Sequence, residues 1–164
     1  MVKFLILNNH KLNLNQFPEN YHLIAIHSDL DEYRLAFFLN KKLNIGLKRK
    51  NNDIYFAEQD AHYSSYEFLD ENKYLKWIFF SNKSLVSEKK FDLDLSLFAQ
   101  GNSALNKINL LSQQKSVDYF LIIENIANKT YIDKVLKKIS EISGVITSFI
   151  SENKLENKEN IIFS

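Results

Sequence analysis

The eight residues Val117-Asp-Tyr-Phe-Leu-Ile-Ile-Glu124 form a strongly β-favouring segment of this 164-residue chain. Their apolar core, Tyr119–Ile123, lacks the apolar–polar alternation of a half-exposed strand. Such a run predicts a strand that is buried on both faces, in the interior of a sheet. Tyr21-His-Leu-Ile-Ala-Ile-His27 has the same character over Leu23–Ile26 and predicts a second inner strand.

A helix is expected after the first of these strands, over residues from about 29 to 43. Ser28 and Asp31 have the Ser-x-x-Asp spacing of a capping box, with Asp in place of the usual Glu. Gly46 follows the apolar pattern and offers a left-handed stop. The apolar residues of this helix fall on two sides, which indicates a helix that is covered on two sides.

A second helix is expected over residues from about 131 to 143. Thr130 and Asp133 repeat the polar start signal, and apolar residues recur at the i, i+3, i+4, i+7 spacing of one helix face. Gly144 follows as a stop. Val145–Ile150 then reads as a strand, so the plan strand–helix–strand occurs twice.

The segment between these two units predicts a β meander. Asp70-Glu-Asn72 is a plausible turn between strands at His62–Leu69 and Lys73–Phe80. Shorter strands are expected at Lys3–Leu7, Ile45–Lys48, Ile54–Phe56, Leu85–Val86, Phe91–Leu97 and Asn160–Phe163, and residues 98–116 show no pattern that assigns them. Together these elements predict one α+β domain over residues 1–164, with a mainly antiparallel sheet and two helices on one of its faces.

Composition excludes several classes of function. Lys+Arg 21 against Asp+Glu 20 leaves a net charge of +1, without the strong basic excess of a typical nucleic-acid binder. The absence of Cys removes thiolate nucleophiles and sulfur-ligated zinc, and three Gly leave no phosphate-binding loop. No apolar run is long enough for a signal peptide or a membrane span. We therefore expect a cytoplasmic protein with no cofactor and no metal.

Two segments carry a family resemblance. Ile24-Ala-Ile-His27-Ser28 with Glu32-Tyr-Arg-Leu-Ala36 is one, and Val117-Asp118-Tyr119 is the other. With these the chain resembles the IPExxxVDY family, small bacterial proteins of about this length and of uncharacterised function. The Ile-Pro-Glu part of that pattern corresponds here to Leu111-Ser112-Gln113. The resemblance implies a single cytoplasmic domain and no particular reaction.

A candidate ligand site combines His27, Arg34 and Asp118. Asp118 opens a strongly apolar strand, where a partly buried carboxylate needs a partner. Arg34 is one of two Arg in a chain that otherwise uses Lys, which suggests a planar, bidentate contact with Asp118. An internal ion pair and a site for a small anionic ligand both fit these residues.

A candidate interaction surface combines Leu30, Tyr33 and Phe37, which lie on one side of the first helix, away from its main apolar flank. Another part of this chain could cover that side, or a partner could. The leading hypothesis is a non-enzymatic module that acts through protein contacts, most simply as a homodimer. The alternative is RNA binding by an aromatic-bearing sheet face, with Lys76-Trp-Ile-Phe-Phe80 as the stacking segment.

Overall fold

The computed structural model describes residues 21–56, 60–87, 105–126 and 128–152. Within these ranges the chain forms β1 (Tyr21–Ser28), α1 (Glu32–Leu43), β2 (Lys48–Arg49), β3 (Ile54–Phe56), β4 (Ala61–Tyr63), β5 (Ser65–Asp70), β6 (Leu75–Ser81), β7 (Lys83–Ser87), β8 (Leu105–Asn109), β9 (Tyr119–Glu124), α2 (Lys129–Ser140) and β10 (Val145–Ile150). The strands expected at Lys3–Leu7, Phe91–Leu97 and Asn160–Phe163 lie outside the described residues. Neither described helix is long and apolar enough to cross a membrane.

Six strands form the main sheet, in the order β10-β1-β9-β6-β5-β2, and every neighbouring pair is antiparallel. The predicted α+β class with a mainly antiparallel sheet is confirmed. Both strands predicted to be internal are internal, since β1 lies between β10 and β9, and β9 lies between β1 and β6. The remaining strands pair as β3–β4 and β7–β8.

The helices join strands that run in the same direction but are not neighbours. β9 and β10 are both antiparallel to β1, which lies between them, so α2 connects two parallel strands across β1. This is a split β–α–β unit, and it places β10 at one edge of the sheet. The same reasoning makes β2, at the other edge, parallel to β1, so α1 is the second crossover.

Each face of the sheet buries its own core. On the first face, both helices pack over residues that alternate along the inner strands; this core includes Ile24, Ile26, Leu35, Leu39, Trp77, Phe79, Leu121, Ile123, Ile132, Val135 and Ile139. On the second face, the β3–β4 hairpin packs over the intervening residues; this core includes Leu23, Ala25, Ile54, Tyr63, Ile78, Phe80, Phe120 and Ile122. Burial on both faces explains why β1 and β9 read as continuous apolar runs.

The two helices begin at other residues than the sequence predicts, α1 later and α2 two residues earlier, at Lys129. α1 begins at Glu32 instead of residue 29, because Ser28 is engaged elsewhere. Its hydroxyl donates to the carbonyl of Gly144 at 2.7 Å and accepts from the amide of Leu30 at 3.1 Å. For α2 the capping residue is Asn128, whose side chain accepts from the amide of Thr130 at 3.0 Å.

The predicted left-handed stop at Gly46 is wrong. Asn44 ends α1 with φ 55°, and its amide bonds the carbonyl of Asn40. Asn tolerates this conformation almost as Gly does, so no glycine is needed there. Gly144 does adopt a positive φ of 95°, but four residues beyond the end of α2, at the entry to β10.

The meander is confirmed in its main hairpin and differs at its start. β5 and β6 pair over the predicted turn, where the amide of Lys73 donates to the carbonyl of Asp70 at 3.2 Å. The segment His62–Leu69 is not one strand, since it divides at Ser64 between β4 and β5 of different sheets. Residues 105–109, which no pattern assigned, form β8.

Candidate functional site

The outer side of α1 exposes two large aromatic side chains. Tyr33 and Phe37, one helical turn apart, are each 61% exposed. The opposite side of the same helix buries Leu35 and Leu39 completely. The two apolar sides predicted from the sequence therefore differ, since one forms core and the other faces solvent in the part of the chain that the structure describes.

Leu30, the third residue of the predicted surface, is anchored to the domain. Its side chain is partly buried and packs against the core of the helix face. Its carbonyl accepts a hydrogen bond from the Tyr119 hydroxyl at 2.7 Å. Burial raises the pKa of Tyr119, and the nearby carboxylates of Glu32 and Asp118 raise it further, so this hydroxyl keeps its proton. These contacts hold Leu30, just before α1, against the core, whereas Tyr33 and Phe37 on the helix are exposed.

Two cations border the exposed aromatic pair. At about 100° per residue, Phe37, Lys41 and Arg34 follow Tyr33 within roughly 100° of the helix circumference. Arg34 and Lys41 are both exposed, and neither forms an ion pair with another described residue. We call these four residues, Tyr33, Arg34, Phe37 and Lys41, the α1 stripe. It is an apolar strip with one positive flank.

Asp118 immediately precedes β9, and its carboxylate has two hydrogen-bond donors, with the ring of His27 nearby. Oδ2 accepts from the amide of Ser28 at 3.0 Å and lies 3.8 Å from Nδ1 of His27. Oδ1 forms an ion pair with Nζ of Lys83. His27 in turn stacks on Phe149, with ring centroids 6.0 Å apart. These contacts connect residues at or near the ends of β1, β7, β9 and β10.

The predicted pairing of Arg34 with Asp118 is wrong. The structure brings His27 and Asp118 together, but the cation that neutralises Asp118 is Lys83, and Arg34 lies on the outer side of α1. A planar guanidinium contact does occur, at Arg49. It forms ion pairs with Asp53 and Glu32 and lies over the ring of Tyr66, 5.6 Å from the centroid.

Asn82 bonds the segment 111–117, a role that its sequence context does not indicate. Its side chain is completely buried, and Nδ2 donates to the carbonyls of Gln114 and Val117, both at 2.9 Å. Its Oδ1 accepts from the amide of Leu111 at 2.9 Å. An Asn after an apolar strand reads as an ordinary turn residue, so no local signal distinguishes it. In the fold it holds residues 111–117 and so positions Asp118.

Around Asp118 the described residues do not place a serine hydroxyl against a histidine base. The neighbouring hydroxyl, that of Ser28, donates to the carbonyl of Gly144 and not to His27. A serine nucleophile needs its base within hydrogen-bonding reach. Within the described residues there is also no group of three metal-ligating side chains. What the contacts show is a charge-compensated junction between strands.

The segment Lys76–Phe80 offers no stacking platform for bases. Trp77 is 1% exposed, and Phe79 and Phe80 are completely buried in the two cores. Base stacking requires an accessible aromatic face. The three aromatic residues of this segment are therefore core residues.

Comparison of the chain with protein-family models, with curated proteins and with solved structures finds no match.

Proposed function

We propose that the protein is a non-enzymatic module that acts through protein contacts made by the α1 stripe. The observation that carries the proposal is the 61% exposure of both Tyr33 and Phe37 on a helix whose other side is fully packed. Aromatic and Arg side chains are the residues that most often dominate binding energy at protein interfaces. The stripe presents two aromatics beside Arg34 on a rigid helix.

The charge of the stripe favours a partner that is apolar and acidic. Arg34 and Lys41 lie on the same flank of the aromatic pair and have no carboxylate partner among the described residues. An acidic flank on the partner would pair with them, and the complementary potentials would favour docking in one orientation. An amphipathic helix with Asp or Glu beside its apolar face has this chemistry.

Self-association through the stripe is less favourable than binding such a partner. In a two-fold antiparallel pair of helices the same patch meets itself, so each flank faces the same flank of the other copy. The positive flank would then meet a second positive flank, which is destabilising. A homodimer through this surface is the main competing outcome of the test below.

The cytoplasmic location and the resemblance to the IPExxxVDY family belong to the same proposal. A module without catalytic groups is consistent with a resemblance that implies no reaction. Family and location add no residue to the stripe, and its test does not depend on them.

The test compares two synthetic amphipathic helices that share a Leu face and differ only in carrying Glu or Lys on its flanks. We expect the Glu peptide to bind the wild type and the Lys peptide not to bind. The double variant Tyr33→Ser/Phe37→Ser should weaken binding about tenfold or more, which corresponds to about 1.4 kcal/mol. Fluorescence anisotropy of labelled peptides measures both affinities.

Leu69→Ser is the matched control, because Leu69 is 55% exposed on β5 and belongs to the sheet, not to α1. It should bind the Glu peptide as the wild type does. Equal binding of both peptides, or binding that survives the double substitution, contradicts the proposal. Sedimentation of the same variants shows whether the stripe instead pairs with itself.

A further inference from the structure

The strand β10 is uncharged and forms an edge of the sheet among the described strands. Val145-Ile-Thr-Ser-Phe-Ile150 contains neither a charged residue nor Pro, and it pairs with β1 on one side only among the described strands. Ile146 is 66% exposed and Phe149 is 43% exposed. Long, uncharged edge strands are sites where another strand can add.

The opposite edge of the sheet lacks these properties. β2 is two residues long and consists of Lys48 and Arg49, both exposed. A short, positively charged strand is one of the common devices that prevent edge-to-edge pairing. Among the described strands, the sheet is therefore protected at β2 and has an unpaired edge at β10.

The hydrogen bonds of β1 identify which backbone groups of β10 point outward. The amide of Ser151 donates to the carbonyl of Leu23 at 2.7 Å, which makes that pair a hydrogen-bonded one. Since such pairs alternate along an antiparallel ladder, Phe149 also faces β1, and the N–H and C=O groups of Ser148 and Ile150 face away. Consistently, the carbonyl of Ile26, opposite Ser148, accepts from Asp118 on the β9 side.

We propose that β10 pairs with β10 of a second copy, antiparallel, with the two-fold axis at Phe149. Ser148 then lies opposite Ile150 of the other copy, and the four outward donors and acceptors of each strand are satisfied reciprocally. Ile146 is the extra residue of a β-bulge, since His27 pairs with Thr147 and Ser28 with Val145. A bulge disrupts the ladder, so regular pairing is centred on Phe149.

Symmetry favours a second copy over an unrelated strand as the partner of β10. An isologous interface uses the same patch twice, and an uncharged strand meets itself without repulsion. The two Phe149 side chains are directly opposite, in a non-hydrogen-bonded pair, with Cβ atoms about 4.5–5.5 Å apart. This inference is independent of the α1 stripe, which stays free in the dimer.

The test is a charge exchange at the axis, in the full-length chain. We expect the wild type to dimerise in sedimentation velocity between micromolar and near-millimolar concentration. Phe149→Lys and Phe149→Glu should each weaken dimerisation at least tenfold, because like charges meet at the axis. Mixing the two variants should restore a heterodimer, which a merely misfolded strand would not do.

Two further variants keep the test decisive. Leu69→Lys, at another exposed apolar position, should dimerise as the wild type does. Ser148→Pro removes one outward N–H and leaves the hydrogen bonds to β1 in place, so it should also weaken the dimer. This variant keeps the proposal testable if the Phe149 variants unfold. A wild type that stays monomeric throughout, or dimers that persist in Phe149→Lys and Ser148→Pro, would overturn the proposal. Neither outcome bears on peptide binding by α1.

Discussion

Replacing Asn82 with Ala removes three hydrogen bonds from the inside of the fold. The bond from Nδ2 to the carbonyl of Val117 is buried, and those to the Gln114 carbonyl and from the Leu111 amide are partly buried. A buried polar group left without a partner costs about 1–3 kcal/mol, whereas a typical hydrogen bond contributes about 0.5–1.5 kcal/mol. Allowing water to reach the partly buried groups, we expect Asn82→Ala to lower the free energy of unfolding by roughly 3 kcal/mol.

Urea unfolding followed by tryptophan fluorescence measures this loss directly. Trp77 is the single Trp of the chain and is 1% exposed, so its emission reports exposure of the core. The midpoint should fall while the m-value stays unchanged, because the same surface is exposed on unfolding. A loss of about 3 kcal/mol is a large part of the 5–15 kcal/mol typical of a domain.

Asn109→Ala is the matched control, and Asn82→Asp is a second variant at the same position. Asn109→Ala removes one exposed bond, from Nδ2 to the carbonyl of Lys115, and should change stability by less than about 0.5 kcal/mol. Asn82→Asp places a carboxylate against two carbonyl oxygens, so it should be worse than Ala at neutral pH and partly recover in acid. If Asn82→Ala behaves like Asn109→Ala, the buried bonds are not what holds residues 111–117.

Three other changes have calculable outcomes. Gly144→Ala should cost about 1–3 kcal/mol in urea unfolding, since φ is 95° and the new Cβ would lie 2.7 Å from Cγ of Leu30; adding Leu30→Ala relieves the contact but not the backbone strain. Tyr119→Phe loses the bond to the Leu30 carbonyl, about 1 kcal/mol. Because the pKa of Tyr119 is raised above its ordinary value of 10.0, the folded protein holds this proton more tightly than the unfolded chain. That stabilisation is complete below pH 10 and is lost above it, so the difference between wild type and Tyr119→Phe should shrink as the pH rises further. Ser65→Ala should be neutral or stabilising by up to about 1 kcal/mol in thermal melts, because Oγ is buried and has no hydrogen-bond partner among the described residues.

The two inner strands were predictable because burial on both faces leaves a direct mark on sequence. The apolar runs Leu23–Ile26 and Tyr119–Ile123 have no polar alternation, and both became inner strands. Helix periodicity likewise located α1 and α2. What failed at the helix ends was the assumption that a capping residue acts locally. Ser28 instead bonds Gly144, which is 116 residues away, and no local pattern contains that contact.

The candidate site was likewise predictable only in part. That Tyr33 and Phe37 share one side of α1 was within reach of the sequence, although the cover expected over that side is not seen among the described residues, where both side chains are exposed. The partner of Asp118 was not, since Lys83 approaches only when β7 packs beside the start of β9. Asn82 could not be identified for a similar reason, because each group that its side chain bonds comes from the distant 111–117 segment.

The unequal edges of the sheet set a limit on how far copies of this chain can join. A sheet that is open at both ends can add molecules indefinitely, as fibrils do. Among the described strands only the β10 end is available for growth, because Lys48 and Arg49 form the strand at the other end. When two copies pair through β10, both β10 edges become internal. The combined sheet then ends at the charged strand β2 of each copy. In the proposed dimer, pairing through β10 therefore ends with two copies and does not extend the sheet further.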